Sequence, residues 1–451
     1  MKKPVLGVTV AIVAVLGVAA LSGFTPAYLI SAPGVAAGIG AKLLCSSRYV
    51  SHFSQEQSFD DLVQYSPVLA NLTIEYDETD QAVITSLFGL KSATAVYRPG
   101  LGCTLEYPGF DPPVDTGRIA IDRPSAPWPL GERTTTPDAA MQALVQSQIE
   151  QDNSAGLNTR ALLVVHDGEV IAEGYAQNAD RRAPLLGWSM SKSLMSIMLG
   201  NLELRGLLSL DAGPEFPEWA DDDRAAIRIT DLLTMTDGLD FSEEYDPGDD
   251  ATAMLFTEPS ASLFVLQKSL SNEPGTVFNY SSGTASLLSR LYQDKTGDSL
   301  ATSFDDYMEN IYKPLGFEHA VFETDAAGEF MGSSYFYASA RDWARIGQMM
   351  LDGGSINGRR IVSEDWIQRA TGPNTSENEK AYGYQWWLNR GDEQLRWPDL
   401  PADAYAAQGN REQRLMVIPS RNLVIVRLGW TAGSYPTNER FAEILDSSGL
   451  H

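Results

Sequence analysis

Between Leu185 and Arg205 the chain carries a segment that fits few environments. Ser189, Lys192, Ser193 and Ser196 fall at i, i+3, i+4 and i+7, while Met190, Leu194, Met195, Ile197, Met198, Leu199 and Leu202 fill nearly every other position. The spacing predicts a helix, apolar on most sides, with one polar stripe. Such a helix belongs inside a sizeable core, and its lysine goes in with it. Burying a lysine costs free energy unless the amine is paired or neutral, so its presence calls for a reason. Catalysis supplies one. Ser189 at the helix start and Lys192 one turn on bring a hydroxyl and an amine within reach, and desolvation together with the positive end of the helix dipole lowers the amine pKa toward that of a base. The competing reading is a lysine that snorkels to water. S-x-x-K alone arises by chance about once or twice in a chain of this length, so its weight comes from the helix that bears it.

The 451 residues, 43% hydrophobic and 20% charged, provide for a large core and exclude wholesale disorder. A net charge of -26 repels phosphate backbones, which argues against nucleic acid as a partner. The four histidines, His52, His166, His319 and His451, show no HxH or HExxH spacing, and no metal site is expected. Nothing in the sequence sets an oligomeric state.

Met1-Lys2-Lys3 precedes 38 residues, Pro4 to Ala41, without a charge, the most apolar part being Val5 to Phe24. This reads as a positive n-region and an apolar h-region. The run is long enough to cross a bilayer, which favours a signal anchor within residues 1–30 facing the periplasm or the extracellular side. Ala20-Leu21-Ser22 is also an acceptable cleavage site, and cleavage there would release a secreted protein. In an exported chain, Cys45 and Cys103 are expected to form a disulfide contributing roughly 4 kcal/mol. The alternative is two buried free thiols.

Residues 42–110 read as an N-terminal extension holding both cysteines, and residues 111–137 as a Pro-rich linker draped over the remainder. The last unit spans 138–451. Ala161 to His166 and Glu169 to Ala176 flank an Asp-Gly turn, and Arg414 to Ile418 and Leu423 to Leu428 flank Pro419 to Asn422, giving two hairpins. Helices are predicted between them, over Ser189 to Leu204, Ile229 to Thr236, Ala285 to Lys295 and Ala340 to Leu351. Strands at both ends with helices between predict an α+β fold whose one sheet is assembled from the two extremities.

A family resemblance emerges from motifs in order: Ser189-Met190-Ser191-Lys192, Ile229 to Leu239, Tyr280-Ser281-Ser282, Arg341-Asp342-Trp343-Ala344-Arg345, and Tyr382 to Trp387. The chain resembles the penicillin-recognising serine hydrolases over roughly residues 140 to 445. Within them it is most similar to the class C β-lactamase-like branch with 6-aminohexanoate-dimer hydrolases and β-lactamase-fold esterases. The resemblance implies an antiparallel sheet flanked by terminal helices beside an all-helical lobe, as in β-lactamases and DD-peptidases. It implies Ser189 as nucleophile, Lys192 as its base and Tyr280 as proton shuttle, with no cofactor and a small ester or amide as substrate. Ser282 stands where the second motif, Y-x-N, has Asn. Lys295-Thr296-Gly297 spells the third motif, K-T-G, but reads as a helix end. The positional match is Ala407-Gln408-Gly409, which lacks the cation but makes Gln408 and Gly409 substrate-binding candidates. The backbone N–H groups of Ser189 and Asn410 would then form the oxyanion hole. Phe241 to Pro247 resembles the cover loop of 6-aminohexanoate-dimer hydrolases, whose tyrosine would here be Tyr245; a solvated acidic loop is the plainer account.

Two rivals stay open. Gly187-Trp188-Ser189-Met190-Ser191 resembles the G-x-S-x-G elbow of histidine-dependent α/β-hydrolases, with Ser in place of the last Gly. The degenerate second and third motifs also suit a catalytically weak β-lactamase-fold protein that binds envelope components.

Overall fold

The computed structural model describes residues 26–110, 125–210, 212–213 and 216–447. The apolar run Val5 to Phe24 and most of the Pro-rich stretch therefore lie outside the described residues.

The alternating pattern of the two predicted hairpins builds the central sheet. Thr159–His166 pairs with Glu169–Tyr175, and Gln413–Ile418 with Leu423–Gly429. The two hairpins join edge to edge through Leu423–Gly429 and Thr159–His166, with Leu423 opposite His166. Tyr405–Gly409 and Trp387–Leu388 extend the sheet to six antiparallel strands. Side chains alternate across it. Leu162, Val164, Met416 and Ile425 pack on one face against Met141, Val145 and Ile149 of the Ala139–Ser154 helix and Phe441 and Ile444 of the Thr437–Ser447 helix. Leu163, Val165, Leu415, Val424 and Val426 face the other way, into the core that holds the Ala340–Leu351 helix and the Met190–Leu204 helix. This is the expected α+β architecture.

The predicted helices form with shifted ends. Ile229–Leu233 stops short of Thr236, where Met235 turns to φ +58°. The helix predicted from Ala285 begins at Ser282, because the Ser281 hydroxyl caps it by accepting from the Thr284 N–H.

Residues 26–110 are more ordered than their lack of motifs suggests. Pro26–Tyr49 is one continuous helix, so the boundary read at residue 42 falls inside it. It is apolar and long enough to cross a membrane by length alone, yet most of it is buried within the protein. It packs on a four-stranded antiparallel meander, Leu72–Asp77, Ala82–Leu87, Lys91–Arg98 and Gly102–Leu105. Cys45 on the helix is bonded to Cys103 on the last strand.

Beside that disulfide the extension locks onto the sheet-and-helix unit. Glu323, wholly buried, accepts from the Lys42 amine, from the Ser46 hydroxyl at 2.8 Å and from the Cys103 N–H at 2.7 Å. Lys42 also donates to the Cys103 carbonyl. Burial pushes the Lys42 amine down and the Glu323 carboxyl up, each opposed by the charge of the other.

Within the described end of the Pro-rich stretch, residues 125–137, the chain lies against the Ala340–Leu351 helix. Glu132 accepts from Arg341 at 2.8 Å and from Arg345 at 3.0 Å, and Arg345 also reaches the Pro129 and Gly131 carbonyls. Two arginines of the resemblance motif thus hold a chain crossing rather than a substrate.

Candidate active site

Ser189 occupies the N-cap of the Met190–Leu204 helix, half-buried at the end of a tight turn. Gly187 makes the turn feasible: a Cβ there would lie 2.3 Å from the Trp343 ring. Gly409 approaches from the other side, and a Cβ on it would meet the Gly187 carbonyl oxygen at 2.1 Å. The strand end and the nucleophile turn are therefore in backbone contact, which only glycines at both positions allow. Trp188 between them is held at φ +49°.

Lys192 is 1% exposed, and its amine donates to the Ser189 hydroxyl at 3.0 Å, the Ser282 hydroxyl at 3.0 Å and the Ser333 carbonyl at 2.9 Å. All three acceptors are uncharged. Burial accordingly pushes its pKa down to about 8, opposed only by the more distant charge of Glu243. Two other serines of the helix are bonded elsewhere. Ser191 donates to the Trp188 carbonyl and Ser193 to the Gln385 carbonyl. Ser196 is fully buried.

The Tyr280 ring lies over the Lys192 amine, 4.9 Å from ring centre to nitrogen. It stacks on Trp387 at 5.3 Å and meets Tyr382 edge-on at 6.2 Å. Burial and the Glu243 charge raise its pKa, while its hydrogen bond with Ser189 acts the other way. Tyr280 is thus a protonated donor at neutral pH, and Lys192 is the group able to take a proton. The loop before Tyr280 is fixed by the segment 229–239: the Asn279 N–H donates to the Met235 carbonyl at 2.8 Å, and Thr284 donates to Asp237 at 2.6 Å. Gln385 ties that segment to the aromatic motif by donating to the Leu232 and Leu233 carbonyls. The resemblance motifs without obvious chemistry are the frame that aims Tyr280.

Ser282 is bonded on both sides. Its hydroxyl accepts from Lys192 and donates to Glu243, and its N–H donates to the other Glu243 oxygen at 2.8 Å. Tyr245 donates to the same carboxylate and lies 3.4 Å from the Ser282 hydroxyl. Its backbone sits at φ +64°, unusual for an aromatic residue, held by an N–H bond to Asp249. Glu243, which lies in the cover-loop segment but is assigned no role by the resemblance, is therefore the hub joining the loop 241–247 to Ser282 and, through it, to Lys192.

A cavity of about 510 Å³ opens at Ser189, with Tyr245 and Asn410 also in its wall. Gln408 and Gly409 stand on the adjoining strand, half-buried, and Gln408 is not in that wall. The structure thus gathers Ser189, Lys192, Tyr280, Ser282, Tyr245 and Asn410, and sets Gln408 to one side. Lys295-Thr296-Gly297 ends the Ser282–Thr296 helix, with Gly297 at φ +118° as its cap. Two further residues escaped the sequence reading. Tyr65, from the extension, lines the cavity and donates to the Asn410 side chain at 3.3 Å. Arg411, two positions past the expected third motif, stacks its guanidinium on Tyr65 at 3.9 Å and is 8% exposed. A cation does stand near the third motif, but it is covered.

Residues 139–444 match the family model described as β-lactamase. The chain belongs to the β-lactamase family. A 6-aminohexanoate-dimer hydrolase of Paenarthrobacter ureafaciens is 28% identical over 295 residues, 60% of this chain and 72% of that protein. Among solved structures, a penicillin-binding protein homologue from Caulobacter crescentus aligns with TM-score 0.55 and 16% identity, over 70% of this chain and 98% of its own. EstCE1, a hydrolase with promiscuous acyltransferase activity, aligns with TM-score 0.56 and 17% identity, over 68% and 98%. The family's fold removes the histidine-dependent α/β-hydrolase reading. The sheet is antiparallel throughout, and His319 lies beside Asp342, whose carboxylate accepts from its N–H, rather than at the Ser189 cavity.

Proposed function

We propose that the protein is an exported serine hydrolase that cleaves neutral ester or amide bonds through an acyl-enzyme on Ser189. The observation that carries this reading is the Lys192 amine, buried, 3.0 Å from the Ser189 hydroxyl and with its pKa pushed down to about 8, so that a fraction is neutral at physiological pH. Neutral Lys192 takes the hydroxyl proton as the Ser189 oxygen attacks the carbonyl carbon. The N–H groups of Ser189 and Asn410 receive the developing oxyanion. Tyr280, which stays protonated, passes its proton to the leaving oxygen or nitrogen as that bond breaks, and the Lys192 ammonium restores it. Water then enters by the same route in reverse and releases the acid.

The activity named for the Paenarthrobacter relative, hydrolysis of 6-aminohexanoate dimers, supports an amide with a cationic amine as one substrate class. Glu244 and Asp246 in the cavity wall and the net charge of -26 favour the same class and oppose anions. In this reading residues 1–30 serve as anchor or signal, and 138–451 form the hydrolase domain. The test is labelling with a fluorophosphonate, together with a screen of short esters, a cephalosporin and amide oligomers. Wild-type protein should label and Ser189→Ala should not. Labelling that survives Ser189→Ala and disappears with Ser191→Ala would overturn the assignment, and a wild type that neither labels nor turns over would leave an envelope-binding role.

A further inference from the structure

The cavity at Ser189 is only half built by the β-lactamase family region. Its other wall comes from residues 26–110, which precede the matched segment. Ala32, Val35, Ala36 and Ile39 recur at i, i+3, i+4 and i+7 along the Pro26–Tyr49 helix and face the cavity, joined by Val68 and Leu69. Both flanks of the helix are closely packed: a Cβ on Gly38 would fall 2.1 Å from the Phe256 carbonyl oxygen, and one on Gly40 would fall 2.7 Å from Leu72. The Cys45–Cys103 bond and the Lys42–Glu323 pair fix the same helix. The apolar wall is therefore a rigid part of the site.

Its position relative to the proton donor assigns its occupant. Ser189 and Asn410 line this cavity, whereas Tyr280 and Lys192 do not. A leaving group that takes its proton from Tyr280 departs on the Tyr280 side, so the chain on the carbonyl carbon points the other way. We propose that this cavity is an acyl-chain pocket, and that residues 26–110 make the enzyme selective for esters or amides of medium-length acids whose methylenes lie on this apolar wall, while Glu244 and Asp246, also in the lining, can meet a terminal amine. The inference rests on Ser189 being the acylated nucleophile. About 510 Å³ lies within the range of small-molecule sites, about 300–1,000 Å³.

The experiment is a series of p-nitrophenyl esters, acetate to octanoate, on the full chain, which holds the leaving group constant. Wild-type kcat/KM is expected to rise about two- to fourfold per added methylene, the ceiling being set by about 0.8 kcal/mol per buried CH2. Ala36→Phe should lower the octanoate-to-acetate ratio about tenfold or more by filling the pocket. Ala32→Phe should do the same from a half-exposed position, which keeps the test open if the first variant misfolds. Flat dependence on chain length, or an octanoate preference that persists in both variants while fluorophosphonate still labels Ser189, overturns the pocket and leaves the serine hydrolase reading standing. No labelling and no ester turnover by wild type removes both.

Discussion

Lys192 has exchanged water for three uncharged oxygens, and its lowered pKa follows from that exchange. With the neutral amine as the base proposed above, kcat/KM should rise with pH through about 8 and level off above it. Glu243 works against this by stabilising the ammonium, so Glu243→Gln should move the rise to lower pH; an unmoved profile would sever that link. Burial also has a cost in stability. The folded pKa lies below the unfolded one, so the unfolded chain binds the proton more readily between about 8 and 10.5, and stability from this group increases with pH across that window. Lys192→Met should therefore be inactive yet more stable than wild type, by up to about 3 kcal/mol below pH 8, with the difference fading toward 10.5. Chemical denaturation at pH 7 and pH 10 reads this directly. A variant less stable at both would mean that the lost hydrogen bonds outweigh the burial cost.

Among the elements, the Pro26–Tyr49 helix bears most on the site, because it is at once a cavity wall and the anchor of the extension. Glu323→Gln should destabilise by about 3–5 kcal/mol, since it leaves the Lys42 charge buried without its counter-ion. Adding Lys42→Met should restore part of that loss. Urea titration of the two single variants and the double variant measures the coupling, and simple additivity would show that the pair does not act as a unit. The disulfide closes 58 residues, and Cys45→Ser with Cys103→Ser should cost about 4 kcal/mol. Thiol counting on unreduced, denatured protein should find no free thiol.

At the scale of the whole molecule, charge sets which substrates arrive. The net charge is -26, the expected third motif carries no cation, and Arg411 nearby is capped by Tyr65. An anionic β-lactam therefore meets repulsion and finds no cation in the described cavity wall. Cephalosporin turnover should fall well below that of a neutral p-nitrophenyl ester and improve with added salt as the field is screened. Lys295→Ala should leave both nearly unchanged, because that lysine belongs to a helix end. Efficient cephalosporin hydrolysis that collapses in Lys295→Ala would reverse this assignment.

What the sequence determined by itself is what lies within a few residues along the chain. The i, i+3 spacing of Ser189 and Lys192, the two alternating hairpins and the capping Gly297 are local patterns, and local sterics and burial suffice to read them. Tertiary structure alone decided the partnerships between distant segments. Glu243 bonds to Ser282 across 39 residues, and Tyr65 reaches Asn410 across 345. The motif arginines close on Glu132 instead of a ligand. The apolar helix after the export-like run turns out to wall a cavity, since an apolar face looks the same in sequence whether lipid, core or substrate is to cover it. Side chains far apart in the chain meet only because the sheet and its helices pack as they do, and no periodicity encodes that meeting.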